Sequence, residues 1–162
     1  MIHSQVRFRS MQISDLATIL SIEREAFPDP WTKKIFQDEI EQNHLAHNFV
    51  LERFEEVIGY FGLWRVYDEA QITKIAIASS HRGQGWGQVL VSGCMELAKC
   101  LDANRMTLEV RVSNIAAQRL YEKMGFQSAG IRPNFYTVEP EDAVIMWVMI
   151  NETTKENVCI GN

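Results

Sequence analysis

With 162 residues, 46% hydrophobic and 23% charged, the chain has the length of one globular domain and an ordinary composition, which excludes collagen, coiled coil and intrinsic disorder and removes any need for a disulfide or metal staple. Sixteen Lys and Arg against 21 Asp and Glu give 16 − 21 = −5, so no broad basic face is available for nucleic-acid phosphates.

Val6 and Phe8 alternate with polar neighbours and predict a short first strand. Leu16, Ile19, Leu20 and Glu23 follow at helical spacing, behind Ser14 and Asp15 read as N-cap and first-turn acid. Pro28 and Pro30 end that helix, because proline lacks the N–H and restricts the residue before it, and residues 27–31 become a stiff aromatic loop. Thr32 caps a second short helix carrying Phe36 and Ile40 on one face and ending near Asn43. Residues 48–52 and 57–66 are β-branched and aromatic runs about Phe54-Glu55-Glu56, a hairpin. Gly59 and Gly62 inside its second arm point to a bulge or a close backbone approach.

A third strand over 70–77 runs into a glycine-rich turn, after which Trp86, Val89, Leu90, Cys94, Leu97, Ala98 and Leu101 recur at steps of three and four, the longest amphipathic helix. Residues 106–112 form the next strand. Asn114 caps a helix through Ala117, Leu120, Tyr121 and Met124 that stops at Gly125. Two last strands, about 126–131 and 143–150, bracket Arg132-Pro133-Asn134-Phe135-Tyr136. The order β-α-α-β-β-β-α-β-α-β-β predicts a mixed α/β (α+β) fold, one domain over 1–150 with a mostly antiparallel sheet of six to seven strands and about four helices, and a polar tail over 151–162.

Cys94, Cys100 and Cys159 are an odd count without a Cys-x-x-Cys pair, so neither a disulfide framework nor a zinc site is expected, and a reducing, cytoplasmic compartment is. Cys94 and Cys100 read as buried thiols, and His44 and His47 as loop histidines with no further metal ligand nearby. No apolar run reaches signal-peptide or membrane-span length, so secretion and membrane insertion are not expected.

Arg82-Gly83-Gln84-Gly85-Trp86-Gly87 lies between a strand and the long helix. Exposed N–H groups, the positive end of the helix dipole and the Arg82 charge suit an anion, most naturally a phosphate or pyrophosphate. The plain alternative is a tight turn with nothing bound. A P-loop would need Lys and Ser or Thr after the last glycine, and Gln88 stands there; a dinucleotide fingerprint would need a third glycine three positions after the second, and Gly87 is two after Gly85.

Here the chain resembles the GCN5-related N-acetyltransferase (GNAT) family, whose pyrophosphate loop reads Arg or Gln, two residues, Gly, one residue, Gly or Ala; Arg82, Gly85 and Gly87 match it. Asn114 and Leu120-Tyr121-Glu122-Lys123-Met124-Gly125-Phe126 follow at family-like distance, and the resemblance spans nearly the whole chain. It implies acetyl-CoA as co-substrate, with Ile75, Ala76 and Ile77 beside the pantetheine and the N–H groups of Gly83, Gln84, Gly85, Trp86, Gly87 and Gln88 on the pyrophosphate. Residues 108–117, Asn134-Phe135-Tyr136 and Glu141-Asp142-Ala143 are similar to protein N-terminal acetyltransferases. Ala26-Phe27-Pro28-Asp29-Pro30-Trp31 is similar to the bacterial RimI-type branch, which acetylates the N-terminal alanine of a small-subunit ribosomal protein. Relatives often read Tyr-Tyr-Pro or Tyr-Tyr-Asp where this chain has Phe135-Tyr136-Thr137.

Acetyl transfer needs a neutral amine, and deprotonating a lysine at pH 7 costs about 3 kcal/mol more than deprotonating an α-amine. Periodicity alone leaves Glu109 as a solvated strand residue on one face with Thr107 and Arg111; the resemblance implies the general base. Tyr121, seven positions after Asn114, reads either as a core tyrosine or, by the resemblance, as the proton donor to the leaving thiolate. Asn114 is a helix cap that in relatives also touches the cofactor, while Trp31, Arg132 and Tyr136 are candidates for the peptide groove. The partner implied is a ribosomal-protein N-terminus, with no nucleic acid, membrane or metal. Oligomeric state is not written in the sequence, and a monomer is expected. A lysine or small-amine acceptor, and a silent acyl-CoA-binding module, are the competing readings.

Overall fold

Phe54 and Glu55 both adopt left-handed backbone, φ 49° and 66°, the pair of positive φ values a type I′ turn needs to match the twist of the strands it joins. The turn links β2 (Ala46–Arg53) to β3 (Glu56–Val66), with Arg53 opposite Glu56. The computed structural model describes residues 5–150; the tail expected over 151–162 lies outside the described residues. Around this hairpin the chain forms β1 (Val6–Ser10), α1 (Leu16–Ala26), α2 (Lys33–Glu41), β4 (Glu69–Ile77), α3 (Trp86–Cys100), β5 (Arg105–Arg111), α4 (Ile115–Lys123), β6 (Gln127–Tyr136) and β7 (Glu141–Met149). Element order is as predicted. The strands make one seven-stranded sheet, β1-β2-β3-β4-β5-β7-β6, antiparallel except where β5 lies beside β4.

The sheet is covered on both faces. On one side Phe61, Leu63, Ile72, Met106 and Leu108 pack against Leu90, Val91, Cys94 and Leu97 of α3 and Tyr121 of α4. On the other, Val50, Tyr60 and Ala76 pack against Leu16, Ile19 and Ile22 of α1 and Phe36 of α2. Each such buried aliphatic or aromatic side chain contributes roughly 1.5–3 kcal/mol over leaving it exposed.

A bulge modifies the middle of the sheet. Gly62 pairs with Lys74 and Leu63 with Ile72, so Thr73 is an extra residue on β4, and the alternation of faces inverts there. Ala70 and Ile72 point to the α3 side, but Ala76, which an unbroken strand would place with them, lies in the α1 core. The close approach expected at the hairpin glycines is present: a Cβ on Gly59 would stand 2.9 Å from the Ala76 carbonyl oxygen, and one on Gly62 2.8 Å from Thr73 Oγ1.

The parallel pair is short. β4 and β5 are in register only at Glu69↔Arg105, Ala70↔Met106 and Gln71↔Thr107, after which β5 continues against β7 alone. Beyond Gln71 the edge of β4 that faces β5 has no strand partner among the described residues as far as Ile77, and the sheet opens as a wedge.

Two local expectations are corrected. Ser14 is not a cap: a 3₁₀ turn, Ile13–Asp15, precedes α1, and the Asp15 carboxylate accepts from the Gln12 N–H at 2.7 Å while pairing with Arg9 at 2.8 Å. The segment from Arg132 to Tyr136 is not a connection between strands but the end of β6. It breaks register between Arg132 and Tyr136, because Asn134 takes φ 54° and gives its N–H to Asp142 Oδ1 at 2.8 Å.

Candidate active site

At the mouth of the wedge β4 ends in one 3₁₀ turn, Ser79–His81, and then in Gly83 (φ 72°) and Gly85 (φ 86°). A Cβ at either glycine would meet nothing within 4 Å, so what selects glycine is the left-handed backbone. Gly85 is the N-cap of α3 and offers no capping side chain, which leaves the first-turn N–H groups of Trp86, Gly87 and Gln88 without an intrahelical acceptor and aligned with the helix dipole. Arg82 is exposed, its Nε on the Ile77 carbonyl at 3.2 Å, which ties the charge to the end of the unpaired strand edge. Gly87 keeps α4 close: a Cβ there would lie 3.0 Å from Leu120 Cδ2. An open anion cradle continuous with unpaired strand edge at Ile75, Ala76 and Ile77 fits a pyrophosphate carrying a long amide-bearing arm.

Across the wedge, β5 supplies the polar side chains. Met106, Leu108 and Val110 are buried under α3 and α4, so Thr107, Glu109 and Arg111 leave the opposite face. Glu109 accepts from Gln71 Nε2 at 3.3 Å and pairs with Arg132 at 3.5 Å, its side chain 12% exposed. Arg111 donates to the carbonyls of Val138 (2.9 Å) and Glu139 (2.8 Å), reaches Glu141 at 3.4 Å and Asp29 at 3.9 Å, and lies 4.1 Å from the centre of the Tyr136 ring. One guanidinium therefore joins the 27–31 loop to the β6–β7 turn. Burial pushes the Tyr136 phenol up to about 12, with Arg111 drawing it down and Glu109, Asp29 and Glu141 raising it.

Tyr121 leaves α4 into the α3-side core, tilted against Phe126 with ring centres 5.6 Å apart. No described residue hydrogen-bonds its hydroxyl, and burial, with Cys94 and Tyr136 nearby, raises its phenol well above the usual value. Asn114 caps α4, its Oδ1 accepting from the Ala117 N–H at 3.2 Å. Trp31 packs edge-on to Phe36, centres 5.3 Å apart, on the α1 side of the sheet.

The structure thus brings Glu109 and Arg132 together on one wall, with Tyr136 against Arg111, keeps Tyr121 in the core on the α3 side, and sets the glycine turn at the end of β4. Arg111, Asp29 and Gln71 complete the wall and were not singled out from sequence. The alternation that places Glu109 places Arg111 beside it; nothing local announces Asp29 or Gln71.

The acetyltransferase (GNAT) family model matches residues 16–126. A relative from Bacillus subtilis (strain 168), a putative [ribosomal protein bS18]-alanine N-acetyltransferase, is 49% identical over 144 residues, covering 89% of this chain and 95% of its own. The [ribosomal protein bS18]-alanine N-acetyltransferase of Escherichia coli (strain K12) is 34% identical over 144 residues, covering 88% and 96%. The crystal structure of the Escherichia coli ribosomal-protein-S18-alanine N-acetyltransferase superposes with a TM-score of 0.82 at 31% identity, covering 95% of this chain and 99% of that one. The chain belongs to the GNAT family of acetyltransferases.

Proposed function

We propose that this protein transfers acetyl from acetyl-CoA to the N-terminal alanine of the small-subunit ribosomal protein bS18, acting in the cytoplasm. The observation that carries this reading is the wedge between β4 and β5, with the anion cradle at the end of one strand and a carboxylate on the other; the acceptor is taken from the two relatives. Acetyl-CoA supplies the activated acyl thioester.

The residues of the chain supply the rest. Main-chain N–H groups from Gly83 to Gln88 hold the pyrophosphate with Arg82, and the free edge of Ile75, Ala76 and Ile77 holds the pantetheine arm and meets the developing oxyanion through a backbone N–H near Ile77. Trp31, Arg132 and Tyr136 line the peptide groove. Glu109 takes the proton from the α-ammonium, directly or through a water, with Gln71 and Arg132 fixing its carboxylate. Tyr121 keeps its proton because burial raises its phenol, and releases it only as negative charge builds on the leaving sulfur. On ordinary values the transfer from phenol to thiolate is already uphill by about 2 kcal/mol, and burial makes a separate step costlier, so donation is concerted with departure. Asn114 positions the start of α4, from which Tyr121 projects.

The test is to incubate the protein with acetyl-CoA and a peptide bearing the bS18 N-terminus, beside the same peptide with its α-amine blocked. One acetyl group on the free peptide, and none on the blocked one, is expected. Acetylation of both moves the acceptor to a side chain.

A further inference from the structure

Glu23 is fully buried in the last turns of α1, and three elements converge on its carboxylate. The Trp31 N–H donates at 3.0 Å, the Tyr60 hydroxyl of β3 donates, and the Lys74 ammonium of β4 lies 2.7 Å away. Lys74 is itself 89% covered, its side chain 11% exposed. Its Nζ stands 3.9 Å from the centre of the Phe27 ring and 5.1 Å from that of Trp31, within cation–π range of both. Phe27 and Trp31 are the two ends of the loop whose middle is Pro28, Asp29 and Pro30. Asp29 in turn faces Arg111. Lys74 points to this side only because the extra residue at Thr73 inverts the alternation of β4. A bulge, a buried ion pair and two rings therefore meet under one short loop, although a buried pair is no gift to stability by itself.

We infer that Lys74 is a positioning residue that clasps both ends of the 27–31 loop and so sets the peptide-facing wall of the groove. This rests on the acetyl-transfer reading for its kinetic consequence but not for its structural one. Lys74 holds the loop through its side chain, whereas the proposed contact with the pantetheine arm is the main-chain edge of Ile75, Ala76 and Ile77, so loss of the cation acts on peptide binding and spares the co-substrate.

The experiment uses the full chain. Lys74→Met alone strands a buried carboxylate and risks unfolding, so the informative variant is Glu23→Gln/Lys74→Met, in which the Gln carbonyl still accepts from Trp31 while the ion pair and both cation–ring contacts are gone; Lys74→Arg keeps the cation. In the double variant, backbone hydrogen exchange across residues 27–31 rises about tenfold while the first turns of α1 are unchanged, and KM for an alanine-starting peptide rises about tenfold with kcat and KM for acetyl-CoA near wild type. Lys74→Arg leaves both near wild type. Wild-type exchange in the double variant overturns the clasp, as does a fall in kcat with an unmoved peptide KM. If the wild-type protein acetylates no alanine-starting peptide, the proposed function fails, and the exchange measurement still decides the clasp.

Discussion

The guanidinium of Arg132 on β6 lies 3.5 Å from the carboxylate of Glu109 on β5, although β7 runs between the two strands in the sheet. The contact spans a strand because Arg132 and Arg111 both pair with Ala143, which puts the long Arg132 side chain on the face that carries Glu109. The carboxylate assigned as base is thus held from two sides, by Gln71 of β4 and by Arg132, at the point where the sheet divides.

Glu109→Gln keeps the shape of the side chain and removes the base. Turnover with a bS18 peptide near neutral pH is expected to fall by roughly 100-fold or more, with acetyl-CoA affinity unchanged by calorimetry. Turnover at the wild-type level removes Glu109 from the mechanism.

Tyr121→Phe deletes a hydroxyl that no described residue hydrogen-bonds, so thermal stability is expected to change by no more than about 1 kcal/mol. The rate should nonetheless drop by at least roughly tenfold in kcat, with little change in peptide KM. Steady-state kinetics beside a melting curve separates the two effects; a wild-type rate makes Tyr121 a packing residue.

Gly85→Val places a β-branched side chain at φ 86°, a conformation costing about 1–2 kcal/mol for an L residue, directly at the cap of α3. The expected outcome is a KM for acetyl-CoA raised at least tenfold or so and an unchanged peptide KM, read from initial rates with each substrate varied in turn.

At the other edge, Arg9 holds Asp15 and Glu52, each at 2.8 Å, and both carboxyls are held below their ordinary values chiefly by that guanidinium. A lowered folded-state value means the stabilisation is present in full above the unfolded carboxylate range, about 4, and is lost as pH falls through the folded values. Arg9→Met should therefore cost about 3 kcal/mol at pH 7, and urea unfolding should show that difference shrinking as the pH is taken below the unfolded range. A difference independent of pH would contradict the assignment.

Much of this molecule is legible in its sequence, for identifiable reasons. Periodicities of two and near 3.6 are local, so the eleven main elements appear in order, and Gly85 and Asn114 announce the start of their helices through chemistry that acts within a turn. What escaped reading depends on contacts between distant segments. Gly93 in mid-α3 looks like a weak point, yet a Cβ there would lie 2.4 Å from Phe8, a partner some 85 positions away. Glu23 falls on the apolar stripe of α1 as if misplaced, and only the fold supplies Lys74, Tyr60 and Trp31 to satisfy it. The end of β6 reads as a connection because Pro133 and Asn134 are turn formers, while the Asn134 N–H on Asp142 and the return to register at Tyr136↔Glu141 depend on β7. At the site, the glycine turn and Glu109 were in view from sequence, whereas Arg111, which ties the two groove loops together, gained its role only from tertiary placement.

The central claim is the acceptor, and the mass of bS18 itself tests it most directly. Intact bS18 from cells carrying this protein, from cells lacking it, and from cells carrying only the Glu109→Gln form should be acetylated on its N-terminal alanine in the first case and unmodified in the other two. An acetylated bS18 that persists unchanged when the protein is removed would contradict the account.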